Sequence, residues 1–220
     1  LVENSIDAKS TQIDILIEDG GHKSIKIADN GIGMDKEDLE LAFMRHATSK
    51  IATQDDLAKI NTLGFRGEAL PSIGSVSQLV AKSVIEGSND GFELVIHGGE
   101  VKSLEPIAGI QGTQISVKNL FYNIPARRKF LKKSDTEQRK IVHLTRQFML
   151  SNPDIGFSLS SNGKEVYKVS PNTLDVRIKD IFSSKMSESL LKVNLVKPPY
   201  QISGFAGRFF SFSPGKDKFP

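Results

Sequence analysis

Three stretches of the chain, two of them with glycines, carry polar side chains at spacings suited to holding a base or a phosphate. Asp29-Asn30-Gly31-Ile32-Gly33 sets a carboxylate beside two glycines at the end of an alternating apolar run. There a flat base can approach the backbone, and the carboxylate can accept a hydrogen bond from an exocyclic amine. The same five residues also describe a surface turn ahead of a helix, because Asn and Gly suit positive φ. Leu63-Gly64-Phe65-Arg66-Gly67-Glu68-Ala69-Leu70 puts two glycines just before a short helical run. Free backbone N–H groups could converge there on an anion, although a plain glycine-rich helix entry has the same pattern. His46-Ala47-Thr48-Ser49-Lys50 offers two hydroxyls and an ammonium, suited either to a lid over phosphates or to a polar tail after a helix.

Other chemistries are excluded by residue type. The chain has no Cys, so thiol catalysis, disulfides and Cys-ligated zinc are ruled out. No Gly-Lys-Ser or Gly-Lys-Thr supplies a P-loop, no His-Glu-x-x-His a zinc site, and no Gly-x-Ser-x-Gly a nucleophile elbow.

The elements that must position these residues follow from periodicity. Leu1 to Ala8 reads as the end of a helix. Ile13, Ile15 and Ile17 alternate as one face of a strand, Gly20-Gly21 turns the chain, and Ile25 and Ile27 return it as a hairpin that ends at Asp29. Asp35 is placed as the N-cap of a helix reaching to Arg45. Strands are expected over Val76 to Val84, Gly91 to His97 and Thr113 to Val117, with Gly98-Gly99 a turn. Ser134-Asp135-Thr136-Glu137 has the form of a capping box opening a long helix with Ile141, Leu144 and Phe148 inward, stopped at Asn152-Pro153. Asn162-Gly163 signals a hairpin, Thr173 to Phe182 a short helix, and two further strands flank Pro198-Pro199. Helices interspersed with hairpins imply an α/β sandwich with a mixed, mostly antiparallel sheet and helices on one face.

The chain has 220 residues, 38% hydrophobic and 25% charged, enough to bury a core. No run of ~18 apolar residues could span a bilayer. Charge is uneven. Between residues 121 and 150 stand Arg127, Arg128, Lys129, Lys132, Lys133, Arg139, Lys140 and Arg146 against Asp135 and Glu137, within a net charge of only +3. Attraction for nucleic-acid phosphates should centre there, unless the segment is simply a solvated helix face. The chain opens at Leu1 directly in a helix-like segment, as a piece of a longer protein would, and a domain boundary is expected near Ser184 to Ser189.

Asn4 and Asp7 in Leu1-Val2-Glu3-Asn4-Ser5-Ile6-Asp7-Ala8, then Asp29-x-Gly31-x-Gly33, His46 to Lys50, Gly64 to Leu70 and Gly112-Thr113 resemble, in order, the ATP-site motifs of the GHKL ATPases. His-Ala-Thr-Ser-Lys, Gly-Phe-Arg-Gly-Glu-Ala-Leu and the run from Asn119 to Phe130 resemble the MutL branch, over nearly all of residues 1–183. The resemblance implies a Bergerat-type α/β sandwich over residues 1–186, lacking its extreme N-terminus. Residues 187–220 would begin a second, ribosomal S5 domain 2-like, α/β domain.

The resemblance also implies roles. Asn4 would bind Mg2+ on the ATP phosphates, and Asp29 would read the adenine amine with Thr113 in support, beside Gly31 and Gly33. Thr48, Ser49 and Lys50 would form the lid, while Gly64, Arg66, Gly67, Glu68, Ala69 and Leu70 would hold the phosphates. Glu3, Ser5 and Asp7 would be supporting residues. The family's general-base glutamate lies four residues before the Asn and so would fall just ahead of Leu1. Its γ-phosphate lysine belongs to the following domain, and neither Lys216 nor Lys218 stands in the matching motif.

The implied function is DNA mismatch repair by slow, Mg2+-dependent ATP hydrolysis that switches dimerisation. The implied partners are DNA without sequence preference, a MutS-type mismatch-recognition protein and a homo- or heterodimeric mate, in bacterial cytoplasm or a eukaryotic nucleus and away from membranes. A nucleotide-gated module without turnover, and a topoisomerase- or chaperone-type GHKL domain, are the competing readings.

Overall fold

The computed structural model describes residues 1–44 and 67–207. They form two compact units that meet between Pro171 and Asn172. That division falls earlier than the boundary placed near Ser184 to Ser189, because the helix after Pro171 groups with the strands that follow it and not with the sheet before it.

In the first unit, α1 (Val2–Asp7) leads to the hairpin of β1 (Gln12–Glu18) and β2 (Ser24–Asp29), turned through a short 3-10 segment at Asp19–Gly21. α2 (Lys36–Ala42) follows, and Asp35 caps it by accepting from the Asp38 N–H at 2.8 Å. Next come α3 (Ala69–Ser75), the meander β3 (Gln78–Val84), β4 (Asp90–His97) and β5 (Glu100–Ala108), and then β6 (Gly112–Lys118). α4 (Pro125–Arg128) and the long α5 (Ser134–Ser151) precede a last hairpin, β7 (Gly156–Ser161) and β8 (Lys164–Val169). Asn162 and Gly163 turn that hairpin at φ 50° and 75°, as a type I′ turn requires.

The eight strands form one sheet in the order β5-β4-β3-β6-β2-β1-β7-β8, antiparallel throughout except where β1 lies parallel to β7. Register sorts the covered face into transverse rows. One row reads Leu159, Ile15, Ile27, Ile115, Ala81, Leu94, and the next reads Ile17, Ile25, Val117, Leu79, Ile96. Most of these side chains are fully buried, and Leu39 of α2 packs among them with Leu70 and Ile73 of α3. On the opposite face Leu16 is 42% exposed, so the helices cover one side only. The third row, at the strand ends, reads Phe157, Ile13, Asp29, Thr113, Ser83, Phe92. Its middle is polar.

Three local expectations need correction. β5 was not expected, because its apolar and polar residues do not alternate: Lys102 is the extra residue of a bulge opposite Val95 and Ile96, and Pro106 interrupts the strand. As an edge strand bearing charges, a bulge and a proline, it is poorly suited to pairing with another sheet. Ser134 is not an N-cap; Lys133 is, without a side-chain bond. Glu137 still reaches back, accepting from the Lys132 N–H at 3.1 Å. Its hydrogen bond to Lys140, together with that N–H, holds its carboxyl below the usual range. Finally, Leu144 points outward, 52% exposed, and the buried residues of α5 are Thr145 and Met149. Thr145 tolerates burial because its hydroxyl donates to the Ile141 carbonyl at 2.8 Å.

The second unit holds α6 (Leu174–Ile181), α7 (Ser184–Glu188) and the antiparallel hairpin of β9 (Leu190–Lys197) and β10 (Tyr200–Gly207), turned at a cis Pro198–Pro199 bond. Lys192 pairs with Asp175 at 3.1 Å, tying the hairpin to α6. Among the described residues no helix is long and apolar enough to cross a membrane.

The central rows make a direct prediction about stability. Ile15, 2% exposed, sits on β1 between Leu159 of β7 and Ile27 of β2 in the apolar row. Ile15→Ala should lower the unfolding free energy by about 2–5 kcal/mol, measured by urea titration, whereas Leu16→Ala on the open face should cost less than ~1 kcal/mol.

Candidate nucleotide site

The polar row at the strand ends is where the structure concentrates sequence-predicted site residues. Asp29 ends β2 opposite Thr113 of β6, which in turn faces Ser83 of β3. One carboxylate gathers several donors. Asp29 Oδ2 accepts from the Ser5 hydroxyl at 2.7 Å, and Oδ1 accepts from the backbone N–H of Gly31 at 3.0 Å and of Thr113 at 3.3 Å. A carboxylate offers about four lone-pair positions, so these bonds leave roughly one, on Oδ2. Ser5 is 3% exposed and comes from α1, so the helix that carries Asn4 is fastened to the carboxylate by the very next residue.

The loop after Asp29 is laced to its neighbours. Asn30 Oδ1 accepts from the N–H groups of both Thr11 and Gln12 at 2.9 Å, while its amide donates to the Thr11 hydroxyl at 2.8 Å. The Ile32 N–H donates to the Ala8 carbonyl at 3.0 Å, closing the loop against the end of α1. Gly31 is required by space: a Cβ there would lie 2.6 Å from the Ala8 carbonyl oxygen and 2.8 Å from Ser10 Oγ. Gly33 is required by both conformation and space, with φ +70° and a Cβ position that collides with the Val84 carbonyl. The motif glycines thus let the β2–α2 loop pass between α1 and β3.

Serine 83 completes the row. It is 1% exposed, accepts from the Met34 N–H at 2.8 Å, and its Oγ stands 2.9 Å from the Thr113 hydroxyl and 3.3 Å from the Gly112 carbonyl oxygen. The third row therefore has at its middle a carboxylate and two linked hydroxyls with their backbone donors satisfied. Such an edge can accept from an amine and exchange a hydrogen bond with an adjacent ring nitrogen, as on the Watson–Crick edge of a purine.

The remaining predicted residues are less closely joined. Asn4 lies half-exposed on α1, its side chain bonded to no other described residue. Gly67 adopts φ +62° just before α3, whose first turn contains Ala69 and Leu70, with Glu68 as N-cap. Leu70 packs against the core that also receives Met34 and Leu1, so the α3 entry and the Asp29 loop rest on one cluster. Arg66, Gly64, Thr48, Ser49 and Lys50 lie outside the described residues.

Sequence reasoning assigned no direct part to Ser83 and only a supporting one to Ser5. The signal for Ser83 was a hydroxyl on the inward side of an otherwise apolar strand, which becomes telling only once register places it beside Thr113. Among the described residues no group of three or more His, Cys, Asp or Glu could hold a metal by itself.

Comparison with known proteins identifies the family. Residues 1–103 match the family model described as histidine kinase-, DNA gyrase B- and HSP90-like ATPase. The DNA mismatch repair protein MutL of Phocaeicola vulgatus is 42% identical over 208 residues, which is 94% of this chain and 33% of that protein. MutL of Streptococcus pyogenes is 44% identical over 207 residues, 93% of this chain and 31% of that protein. The chain thus spans about a third of the length of the curated relatives it matches. The Aquifex aeolicus MutL ATPase domain, solved with ADP, superposes with a TM-score of 0.71 at 32% identity, covering 88% of this chain and 68% of that one. The N-terminal domain of a DNA repair protein superposes at 0.78 with 28% identity, covering 96% of this chain and 68% of that one. On these likenesses the chain belongs to the MutL family of DNA mismatch repair proteins, of which it carries the GHKL ATPase fold.

Proposed function

We propose that this chain binds ATP with Mg2+ at the Asp29 row and that, within the intact protein, the site hydrolyses ATP slowly to switch dimerisation and the engagement of DNA and repair partners. The observation that carries the reading is the Asp29 carboxylate, held on both oxygens yet with an acceptor position to spare at the end of the sheet. Adenine presents an N6 amine to that position. A purine with a carbonyl at position 6 would instead set an acceptor against an acceptor, which disfavours guanine.

Asn4 is the residue for Mg2+, its amide oxygen being a hard donor one position from the residue that holds Asp29. When bound, the ion neutralises charge on the phosphates. This chain's own residues orient the nucleotide. We assign the base to Gly31 and Gly33, the phosphates to Gly64, Arg66, Gly67, Glu68 and the first-turn amides of α3 at Ala69 and Leu70, and the lid to Thr48, Ser49 and Lys50.

DNA is bound through phosphates and without sequence preference, at the basic stretch from Arg127 to Lys140, where Lys132 and Lys133 are exposed. The partners are a MutS-type mismatch-recognition protein and a second GHKL protomer, in bacterial cytoplasm or a eukaryotic nucleus.

Two predictions follow from the nucleotide reading, and one from the DNA reading. Asp29→Asn should weaken ATP on the order of 10- to 100-fold by calorimetric titration, since a charge-assisted hydrogen bond is lost at the base. Asn4→Ala should leave Mg2+-free ATP binding within about threefold while abolishing most of the tightening that Mg2+ brings; unchanged Mg2+ dependence would remove Asn4 from the site. Reversing charge at Lys132 and Lys133 should flatten the dependence of DNA affinity on salt by roughly one to two in log–log slope, and an unaltered slope would rule that surface out.

A further inference from the structure

We infer that Gln111 is a positioning residue for the nucleotide, its side-chain amide latching the loop that follows Asp29 to the strand that carries Thr113; the inference rests on the nucleotide reading of the Asp29 row. Gln111 stands between β5 and β6, directly before Gly112. Its Nε2 donates to the Gly31 carbonyl at 3.1 Å, across 80 residues of chain. The Gly31 N–H donates to Asp29 Oδ1 at 3.0 Å, and the Thr113 N–H donates to the same oxygen at 3.3 Å. These bonds close a ring that runs from Asp29 through Gly31 to Gln111, and through Gly112 and Thr113 back to Asp29. Gln111 supplies the link that does not draw on the carboxylate.

The ring answers a difficulty that the loop creates for itself. Position 31 has to be glycine, because a Cβ would strike the Ala8 carbonyl, and glycine leaves the backbone freer than any other residue does. The peptide between Gly31 and Ile32 would turn readily about it. Its N–H is held by the Ala8 carbonyl at 3.0 Å and its C=O by Gln111. Both groups of one peptide plane are thus pinned, from α1 on one side and from the β5–β6 connection on the other. Space dictates the glycine, and the glutamine removes the freedom that comes with it. The connection comes this near because Gly112 lies against Asp29 at φ +119° with no room for a Cβ.

Gln111 is half-buried and stands outside the apolar core, so it adds little packing. Its effect falls on the ligand-free loop. A loop released on its carbonyl side spends part of its time in conformations that do not receive the nucleotide, and apparent affinity drops in proportion to the competent fraction that remains. A glutamine present only to hold the fold together would change resistance to urea and leave nucleotide affinity alone.

The test is calorimetric titration of ATP, with Mg2+ present throughout, into the whole 220-residue chain and two variants. Gln111→Met keeps the length of the side chain and loses the donor; it should weaken ATP by roughly five- to tenfold, the contribution of one hydrogen bond. Gln111→Glu sets a carboxylate against a carbonyl at neutral pH and should weaken ATP at least as much. A protonated carboxyl donates again. The deficit of Gln111→Glu relative to wild type at the same pH should therefore shrink as pH falls from about 7 to about 4.5, toward the ordinary glutamate range, while that of Gln111→Met stays constant. Wild-type affinity in Gln111→Met, whatever its urea midpoint, overturns the inference and leaves the nucleotide reading standing, and so does a Gln111→Glu deficit that ignores pH. Should Gln111→Met not fold, the Gln111→Glu profile decides alone. Wild type that does not bind ATP overturns the nucleotide reading and this inference with it.

Discussion

A carboxylate at the end of a sheet, beside an apolar core, must be met on every side that water does not reach, and the site is organised by how Asp29 meets that demand. Its donors come from α1, from the loop following β2 and from β6. None of these is free to shift without exposing or orphaning the charge. The glycines at 31 and 33 are consequences of the same constraint: the loop can return an N–H to the carboxylate only by passing so close to Ala8 and Val84 that no side chain fits. Asn30 then secures the reverse connection, from loop to β1, with its own amide. Recognition chemistry and backbone geometry are thus one arrangement.

The sheet explains why the site lies where it does. Rows through Ile15 and Ile17 are apolar from strand to strand, and α2 and α3 seal them. Polar groups could enter the covered face only where that seal ends, in the row of Asp29, Thr113 and Ser83. Even there the hydroxyls occur as a bonded pair, so that none is buried without a partner.

Much of this was legible in the sequence, for physical reasons that differ by residue. Asp29, Gly31 and Gly33 were readable because a carboxylate followed by glycines at that spacing answers a local geometric need. The β1–β2 hairpin was readable because Ile13, Ile15 and Ile17 alternate against a polar opposite face. Ser83 was not, since a serine within an apolar run looks like Ser77 or Ser116 until pairing sets it beside Thr113. β5 was hidden by the bulge at Lys102 and by Pro106, which destroy the alternation that marks a strand. The placement of Leu144 failed because helical spacing alone does not say which of two adjacent stripes is inward; the back-bonded hydroxyl of Thr145 makes that stripe the buried one. The family resemblance reached Asn4 and the α3 entry, where local pattern by itself left plain structural alternatives open.

The position of β6 has a consequence for how the site comes into being. β1 and β2 pair as neighbours in sequence, and β3, β4 and β5 form a meander from local turns, so each group can assemble early and by itself. Asp29 belongs to the first group and Ser83 to the second, and they share no strand boundary until β6 is inserted between them with Thr113. The row of Asp29, Thr113 and Ser83 is therefore absent from either half and emerges only as the two halves are zipped into one sheet. A ligand held there acts as a clasp on the finished sheet, drawing on its global stability and not on that of any one hairpin.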